Sequence, residues 1–491
     1  MPTAKSKPAR ARSTTPRKSS SRRTSASTGV KSTASSITNY TTAMRWLYEH
    51  TDHERMRLVK YDDKTFSLDR MRKLLDLLGN PHEQLKAIQV AGTKGKGSTC
   101  TMLASMLDAC GLTTGLYTSP HLVDLRERIT INSSLISYND AAEIFKQIAS
   151  VEKKFGDIPP TFFEIMTAAA LIHFAEQAVD VAILETGLGG RLDSVTAVTP
   201  LATGITQISL DHTQWLGNDL ASIAREKAGI FKKDVPAFSI EQPPEVAAVL
   251  KEVAEEVGAP LKFNGKDVDF SYRFEASREL GPHTRVCLTT ENSQFDHLAV
   301  PLRGEHQAHN CGLALALLDS LKPHGFAMAE QDIIRGLADT KIAGRMEQVW
   351  SQPRVVIDGA HNASSIQALI RSLGAHISYD SLVVIFGTGQ DKDVNGMLKE
   401  LSLGADKLIF TKAKGNPRAC ESSDLLTKFG LLSGKMAQTT DRLDEAVKLA
   451  GRAVSRDDLI VVTGSFYLAG EARKLFADAT AKRNKAAAAA S

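Results

Sequence analysis

A glycine-rich turn between an apolar strand and a helix constrains the fold of this chain more than any other feature. Residues 85–90 are mostly apolar and predict a buried strand, residues 92–99 are GTKGKGST, and residues 102–107 predict the apolar face of a helix. Glycines in such a turn let backbone N–H groups converge on an anion at the start of the helix. The pattern therefore predicts a phosphate-binding loop within an α/β fold.

The polar residues of this loop suit a nucleoside triphosphate. Lys96 is expected to place a cation near the terminal phosphates, and Ser98 or Thr99 a hydroxyl near a metal ion. The strict P-loop pattern is not met, since Val90 replaces the first glycine and Gly97 separates the lysine from the hydroxyl. A glycine-rich turn without a ligand is the alternative for this stretch alone. The residues predicted to bind ATP here are Gly92, Thr93, Lys94, Gly95, Lys96, Gly97 and Ser98.

Length and composition favour a globular protein of several domains. A chain of 491 residues can form two or more domains with an ample core. No apolar run is long enough to span a membrane. The five cysteines form no C-x-x-C pair, which is typical of thiols in a reducing cytosol. We therefore expect a cytoplasmic protein without a membrane partner.

The two ends of the chain differ in composition from its body. Residues 1–36 contain nine Lys or Arg and no Asp or Glu, and we expect them to form a disordered basic tail. They lack the apolar segment of a secretory signal, and an organellar transit peptide is the alternative. The rest of the chain has 51 basic and 56 acidic residues, which argues against a nucleic-acid partner. Residues 481–491 are expected to fray.

Strands alternate with helices along most of the chain, which predicts α/β domains with parallel sheets. Residues 37–338 are predicted to form a P-loop-type, mostly parallel sheet domain that binds ATP, with an antiparallel appendage over residues 261–302. Residues 339–480 predict a smaller, Rossmann-like α/β domain. Its expected strands lie at residues 355–358, 382–386, 407–410 and 459–462, and its expected helices at residues 364–373, 394–403 and 441–454.

Three polar residues follow predicted strands of the first domain: Ser119, Glu185 and His212. Open parallel sheets bind ligands at that edge, and Mg²⁺ prefers oxygen ligands, so a magnesium site beside the phosphate loop is expected. A carboxylate after a buried strand is costly to bury without a cation, although Glu185 could instead cap its loop. His212 is as consistent with a hydrogen bond at a helix start as with a metal ligand.

Several segments, in this order along the chain, resemble the folylpolyglutamate synthase family within the Mur ligase superfamily. In the first domain they are FSLDRMRKLLDLLGNP at residues 66–81, GTKGKGS at 92–98, TSPHL at 118–122, ETGLGGRLD at 185–193, DHTQWLG at 211–217 and IAREKAGI at 223–230. In the second domain they are GRME at 344–347, DGAHN at 358–362 and DKD at 391–393. One departure stands at residues 194–196, where SVT replaces the usual ATN.

The resemblance implies roles for particular residues. Ser119, Glu185 and His212 correspond to magnesium ligands, and Lys227 to a lysine that is carbamylated to bridge metal ions. The remaining correspondences are Asn310 to an adenine contact, Arg345 and Asp358 to nucleotide-binding residues of the second domain, and Thr161 and Asp193 to residues lining the pterin side. Lys96, Lys227, Asp358 and His361 are the residues expected to support catalysis.

Lys227 lies on a helix predicted over residues 222–231. A lysine near cations and partly desolvated favours the neutral amine, which can add carbon dioxide. An ordinary salt bridge with Glu226 or Glu185 is the alternative.

Residues of the second domain also have plainer interpretations. His361 and Asn362 could cap the helix that follows them, and Arg345 could form a surface ion pair. The aromatic residues Trp215, Phe162 and Phe163 suit the core better than a substrate platform.

The predicted function is an ATP-dependent ligase that joins L-glutamate to folate, and to dihydropteroate as a second substrate, through an acyl phosphate. ATP, Mg²⁺ and a monovalent cation such as K⁺ are the expected cosubstrate and cofactors, and the expected oligomeric state is a monomer. The alternatives are a Mur-type cell-wall amino-acid ligase and a non-enzymatic nucleotide switch. A nucleic-acid-binding protein is disfavoured by the acidic body.

Overall fold

The computed structural model describes residues 33–52, 67–156, 158–210, 213–278 and 280–490. The predicted basic tail therefore lies outside the described residues up to residue 32. Residues 33–36 include a short 3₁₀ helix, Ala34–Ser36. Among the described helices, none combines the length and the apolar character needed to cross a membrane.

The first domain is built on an eight-stranded sheet. The strands of this domain are β1 (Ala87–Ala91), β2 (Thr114–Tyr117), β3 (Ile129–Ile131), β4 (Ser134–Leu135), β5 (Val181–Glu185), β6 (Ala202–Ile205), β7 (Ala237–Ser239), β8 (Leu261–Phe263), β9 (Asp269–Ser277), β10 (Gly281–Thr289) and β11 (Gln294–Val300). The sheet order is β4-β3-β2-β5-β1-β6-β7-β8. Strands β2, β5, β1, β6, β7 and β8 pair in parallel, whereas β3 and β4 pair antiparallel at one edge. Strand β1 thus lies near the middle, beside β5 and β6.

Helices cover both faces of this sheet. They are α1 (Tyr40–Leu47), α2 (Leu68–Leu77), α3 (Lys96–Ala109), α4 (Tyr138–Glu152), α5 (Phe162–Glu176), α6 (Thr213–Leu216), α7 (Leu220–Ala228), α8 (Pro244–Val257), α9 (Glu305–Asp319) and α10 (Glu330–Ala338). Alternate residues of β5 point into different cores: Ala182 and Leu184 pack with α4 and α5, whereas Val181 and Ile183 pack with α3 and α9. A strand buried on both faces explains its unbroken apolar sequence.

Strands β9 to β11 form a separate antiparallel sheet of order β11-β10-β9. This sheet packs against α9 through Val286, Leu288 and Phe295, which belong to the same core as α3. The antiparallel appendage predicted over residues 261–302 is therefore present, but its first part was placed wrongly. Strand β8 pairs in parallel with β7 and ends the large sheet instead.

The second domain has a six-stranded sheet of order β12-β13-β17-β14-β15-β16. Only β12 pairs antiparallel, with β13. The strands are β12 (Glu347–Ser351), β13 (Arg354–Ile357), β14 (Leu382–Phe386), β15 (Lys407–Phe410), β16 (Ala437–Thr439) and β17 (Leu459–Thr463), and the helices are α11 (Ala363–His376), α12 (Val394–Gly404), α13 (Ser422–Leu432), α14 (Leu443–Ala453) and α15 (Phe466–Ala490). Together the two sheets confirm the predicted α/β class.

The main differences from the sequence prediction concern short or polar elements. Edge strands β12 and β16 and helix α13 were not predicted, because their exposed residues interrupt the apolar pattern. Helix α7 begins at Leu220, after the capping residue Asp219, which is two residues earlier than predicted. It ends at Ala228, three residues earlier than predicted. Residues 481–490, expected to fray, continue α15.

Substitutions of two leucines on α12 test how this helix packs in the core of the second domain. Leu401 is fully buried, whereas Leu403 is 74% exposed. We expect Leu401→Ala to lower the free energy of unfolding by about 2–5 kcal/mol, because it leaves a cavity, and Leu403→Ala to change it by less than about 0.5 kcal/mol. Urea unfolding of both variants measures this difference. Equal losses would contradict the described packing of α12.

Candidate active site

The phosphate loop connects β1 to α3 at the carboxyl edge of the large sheet. Gly95 precedes the helix with φ +98°, a left-handed conformation that suits glycine. The segment after β6 holds the loop: the N–H groups of Thr93 and Lys94 donate to the carbonyl of Gln207 at 2.8 and 3.3 Å. The N-terminus of α3 is thereby fixed towards the cleft between the domains.

Asn310 on α9 lies directly against this loop. A Cβ built on Gly95 would be 2.2 Å from Asn310 Oδ1, so only glycine fits there. Asn310 Nδ2 donates to Gln307 Oε1 at 3.0 Å, which orients the amide. The predicted adenine-contacting residue and the predicted phosphate loop are therefore adjacent.

Two lysines converge on one carbonyl at the base of the loop. Lys96 Nζ donates to the Gly92 carbonyl at 3.1 Å, and Lys227 Nζ on α7 donates to the same oxygen at 2.8 Å. Lys227 is buried. The neighbouring Glu226 pairs with Arg191 at 3.1 Å. The structure thus brings the two candidate catalytic lysines into one corner of the site.

Glu185, the last residue of β5, is buried beside the loop. Its Oε2 accepts the N–H of Ser119 at 3.0 Å and would be 3.4 Å from a Cβ at Gly97. Burial raises the pKa of the carboxyl, and the nearby charges of Lys96, Arg345 and Arg128 oppose that rise. A carboxylate in such a place is stabilised by cations.

These residues fit a magnesium ion by their chemistry. Glu185 and Ser119 supply oxygen atoms at the same strand edge, and oxygen is what Mg²⁺ prefers. The third predicted ligand, His212, lies outside the described residues together with Asp211. Within the described part of the chain, no group of three or more His, Cys, Asp or Glu side chains could hold a metal by itself.

Asp193 and Thr161 line the same cleft, and both also stabilise local structure. Asp193 accepts the N–H groups of Gly187, Leu188 and Val195 at 2.9–3.0 Å, and burial raises its pKa to about 6. Thr161 caps α5 by accepting the Glu164 N–H at 3.3 Å. Their predicted contact with a pterin is compatible with these positions.

The unusual residues 194–196 take part in a buried hydrogen-bond chain. Gln89 Nε2 on β1 donates to Thr196 Oγ1 at 2.9 Å, and Thr196 Oγ1 donates to the Gly190 carbonyl at 2.7 Å. Thr196 therefore links the strand before the phosphate loop to the glycine-rich segment after Glu185.

The second domain contributes three candidate residues to the opposite wall of the cleft. Asp358 accepts the N–H groups of Met346 and Ala360 at 2.9 and 2.8 Å, and burial raises its pKa while Arg345 lowers it. The Arg345 guanidinium lies over the Phe466 ring at 4.9 Å. The charge of Arg345 also opposes the rise that burial causes in the pKa of Glu185. A Cβ built at Gly344 would lie 3.2 Å from Leu122 Cδ2 of the first domain, so the two domains are in contact beside the cleft.

His361 and Asn362 occupy the start of α11. Asn362 is the N-cap and accepts the Ser365 N–H at 2.9 Å, so the capping alternative is correct for this residue. His361 lines the cleft, and its Nδ1 lies 2.9 Å from the Gly359 carbonyl. Phe162 is buried in the core, whereas Phe163 and Trp215 are partly exposed and line the cleft.

One continuous cleft of about 1490 Å³ is lined by the phosphate loop, Glu185, Asn310 and the second-domain residues Arg345, Asp358 and His361, whereas Lys227 is not part of its lining. It is larger than the ~300–1,000 Å³ of a pocket for one small molecule, so it can take several substrates at once. Its polar walls come from the loop, Glu185, the pterin-side residues and the second domain.

Two largely buried arginines that line this cleft, Arg128 and Arg70, were not predicted from the sequence. Arg128 is 1% exposed and donates through Nε to His121 Nδ1 at 3.0 Å, close enough to lower the pKa of Glu185. Arg70 pairs with Glu164 at 2.7 Å. No local pattern separates Arg128 from Arg126, whose side chain is 14% exposed and pairs with Asp124 at 2.7 Å. Only the fold distinguishes them.

Family models match both domains. The Mur ligase middle domain matches residues 90–318, and the Mur ligase glutamate ligase domain matches residues 344–466. With the two-domain cleft and the phosphate loop, these matches define the class of protein: an ATP-dependent ligase that forms an amide bond.

Individual relatives narrow this class. The chain is 33% identical to the dihydrofolate synthase/folylpolyglutamate synthase of Bacillus subtilis over 414 residues, 83% of this chain and 94% of the relative. It resembles the structure of Mycobacterium tuberculosis folylpolyglutamate synthase complexed with ADP and AMPPCP (34% identity, TM-score 0.77, 84% and 96% of the two chains). It also resembles Escherichia coli FolC in complex with DHPP and ADP (30% identity, TM-score 0.78, 91% and 100%). The chain belongs to the folylpolyglutamate synthase/dihydrofolate synthase family.

Gly95→Ala tests the contact between the phosphate loop and Asn310. We expect it to weaken ADP binding at least tenfold, because the new methyl group displaces Asn310 and distorts the loop. Gly111→Ala is the matched control: Gly111 follows the same helix with φ +84° and has nothing within 4 Å of a built Cβ. Calorimetric titration with ADP measures both variants. Equal affinity in the two would contradict the contact.

Proposed function

We propose that this chain adds L-glutamate to folate, and also to dihydropteroate, and that amide formation is coupled to the cleavage of ATP to ADP and phosphate. The observation that supports this most strongly is the buried Glu185 beside the phosphate loop, in a cleft that the second domain completes. A ligase must bring a nucleotide, a carboxylate and an amine together with water excluded. A cleft between two domains meets that need.

The reaction requires alignment and charge neutralisation more than covalent help from the protein. The substrate carboxylate attacks the γ-phosphoryl group of ATP, which breaks the bond to the β–γ bridging oxygen, releases ADP and gives an acyl phosphate. The glutamate amine then attacks the acyl carbon, and phosphate leaves. Lys96 and the amides of the loop neutralise phosphate charge, and Arg345 adds a cation from the second domain.

The proposal also includes a magnesium ion and further substrate-binding residues. Ser119, Glu185 and His212 are the residues that would hold Mg²⁺, which supplies positive charge to the phosphoryl group and the carboxylate. Asn310 would contact the adenine and Asp358 would bind the nucleotide, and His361 borders the same wall of the cleft. Thr161 and Asp193 would border the pterin. A monovalent cation, a monomeric state and a cytoplasmic location stay predictions.

The lysine at position 227 is proposed to be carbamylated. Its amine lies in the corner that contains Lys96 and the Gly92 carbonyl, so a carbamate there would carry negative charge into a cationic region. A carbamate also provides the oxygen atoms that a hard cation prefers.

Substrate dependence and Lys96→Ala test the ligase assignment together. Phosphate release should require ATP, glutamate and either folate or dihydropteroate. We expect Lys96→Ala to lower kcat roughly 100- to 1,000-fold, because a cation on the transferring phosphate is lost. Lys399→Ala, on the exposed side of α12, is the control and should keep wild-type turnover. Near-normal turnover in folded Lys96→Ala would exclude the phosphate-loop role, and turnover only with a UDP-linked substrate would favour a cell-wall ligase.

Lys227 variants test the carbamate. Lys227→Ala should be inactive and partly restored by short carboxylates, and Lys227→Arg should stay inactive, because arginine keeps the charge but cannot form a carbamate. Carbon-13 NMR in ¹³C-bicarbonate should show a carbamate signal in the wild type that both variants lack. Substantial activity in Lys227→Arg would refute the modification.

A further inference from the structure

Helix α11 of the second domain contacts the first domain at both of its ends. At its start, Lys94 Nζ of the phosphate loop donates to Ser364 Oγ, and Ser364 Oγ donates to Asn362 Oδ1 at 3.1 Å. The first turn of α11 is therefore joined to the loop that is proposed to hold phosphate. Asn362 is the residue that caps this turn, so the contact reaches the end of the helix itself.

At its other end, α11 contacts the residues around the start of α9. The Gly304 N–H donates to His376 Nε2 at 3.1 Å, and His376 Nδ1 lies 3.1 Å from the Pro282 carbonyl. A neutral imidazole protonated on Nδ1 satisfies both partners. Gly304 is the N-cap of α9, and a Cβ there would be 2.9 Å from Ser372 Oγ, so α9 and α11 pack closely.

Helix α9 also contacts the phosphate loop, because it carries Asn310 against Gly95. The loop contacts α9, α9 contacts α11, and α11 contacts the loop through Lys94. Of these three contacts, the one through Lys94 joins the loop itself to the second domain.

The two lysines of the loop point to different partners. Lys96 turns back to the Gly92 carbonyl of its own loop, whereas Lys94 crosses the cleft. Burial lowers the pKa of His306, on the first turn of α9, and the charges of Arg345 and Lys94 lower it further. The position of Lys94 is thus at the junction of the loop, α9 and α11.

We propose that Lys94 is a positioning residue that couples the phosphate loop to the second domain through Ser364. The loop and the second domain then adopt their working arrangement together, so that a nucleotide held by the loop also meets Arg345 and Asp358. The kinetic part of this inference rests on the proposed ligase function, whereas the coupling itself does not.

Hydrogen exchange tests the coupling without any activity. In Lys94→Met, amides 365–366 at the start of α11 should exchange roughly tenfold faster, and in Ser364→Ala the amides of residues 93 and 94 should do so, since a hydrogen bond from a charged donor is worth about this factor. The double variant should match the single variants. Lys399→Met, on the exposed face of α12, should leave both segments unchanged. Loosening confined to the mutated segment itself would overturn the proposal.

A double-mutant cycle tests the consequence for catalysis in the full-length enzyme. We expect each single variant to lower kcat about tenfold, with ADP affinity within about twofold of wild type, and the double variant to lose no more than either. Lys94→Arg, which keeps a donor, should recover part of the loss. Additive losses with weakened ADP binding in Lys94→Met would instead make Lys94 a phosphate ligand and overturn the positioning role. If the wild type shows no ligase activity, the proposed function fails and the exchange experiment alone decides the coupling.

Discussion

The burial of Glu185 is the constraint on which the rest of the site depends. Glu185 is the last residue of β5, which pairs with β1, and it is in register with Val90. Its carboxyl therefore lies at the base of the phosphate loop. Burying this charge is costly unless cations are close, and Lys96, Arg128 and Arg345 provide them. One of the three comes from the second domain, so the electrostatic balance of the site involves both domains.

The space around the loop is narrow at one glycine. A Cβ at Gly95 would be 2.2 Å from Asn310 Oδ1, whereas a Cβ at Gly97 would make only ordinary contact with Glu185 at 3.4 Å. The packing of α9 therefore restricts the loop at Gly95. Lysines 96 and 227 both bond to the Gly92 carbonyl and increase the positive charge in this corner. A preorganised arrangement of this kind suits a reaction in which phosphate charge must be neutralised.

Much of the fold could be predicted from the sequence, because strands β5, β14 and β17 are buried on both faces and are almost entirely apolar. Edge elements such as β16 and α13 could not, since their exposed residues carry no comparable pattern. For the site, glycines and strand-end polar residues indicated the loop, Ser119 and Glu185. The contribution of Arg128 and the reach of Lys94 to Ser364 depend on segments far apart in sequence, and only the tertiary structure brings them together.

The central claim is that ATP activates a substrate carboxylate in this cleft, and oxygen transfer tests it most directly. Dihydropteroate or folate labelled with ¹⁸O in the reacting carboxylate is incubated with the enzyme, ATP and glutamate, and the released phosphate is analysed by mass spectrometry. An acyl phosphate requires one carboxylate oxygen to leave with phosphate, so each turnover should yield one singly labelled phosphate and one labelled amide. Product formed with unlabelled phosphate would contradict the account.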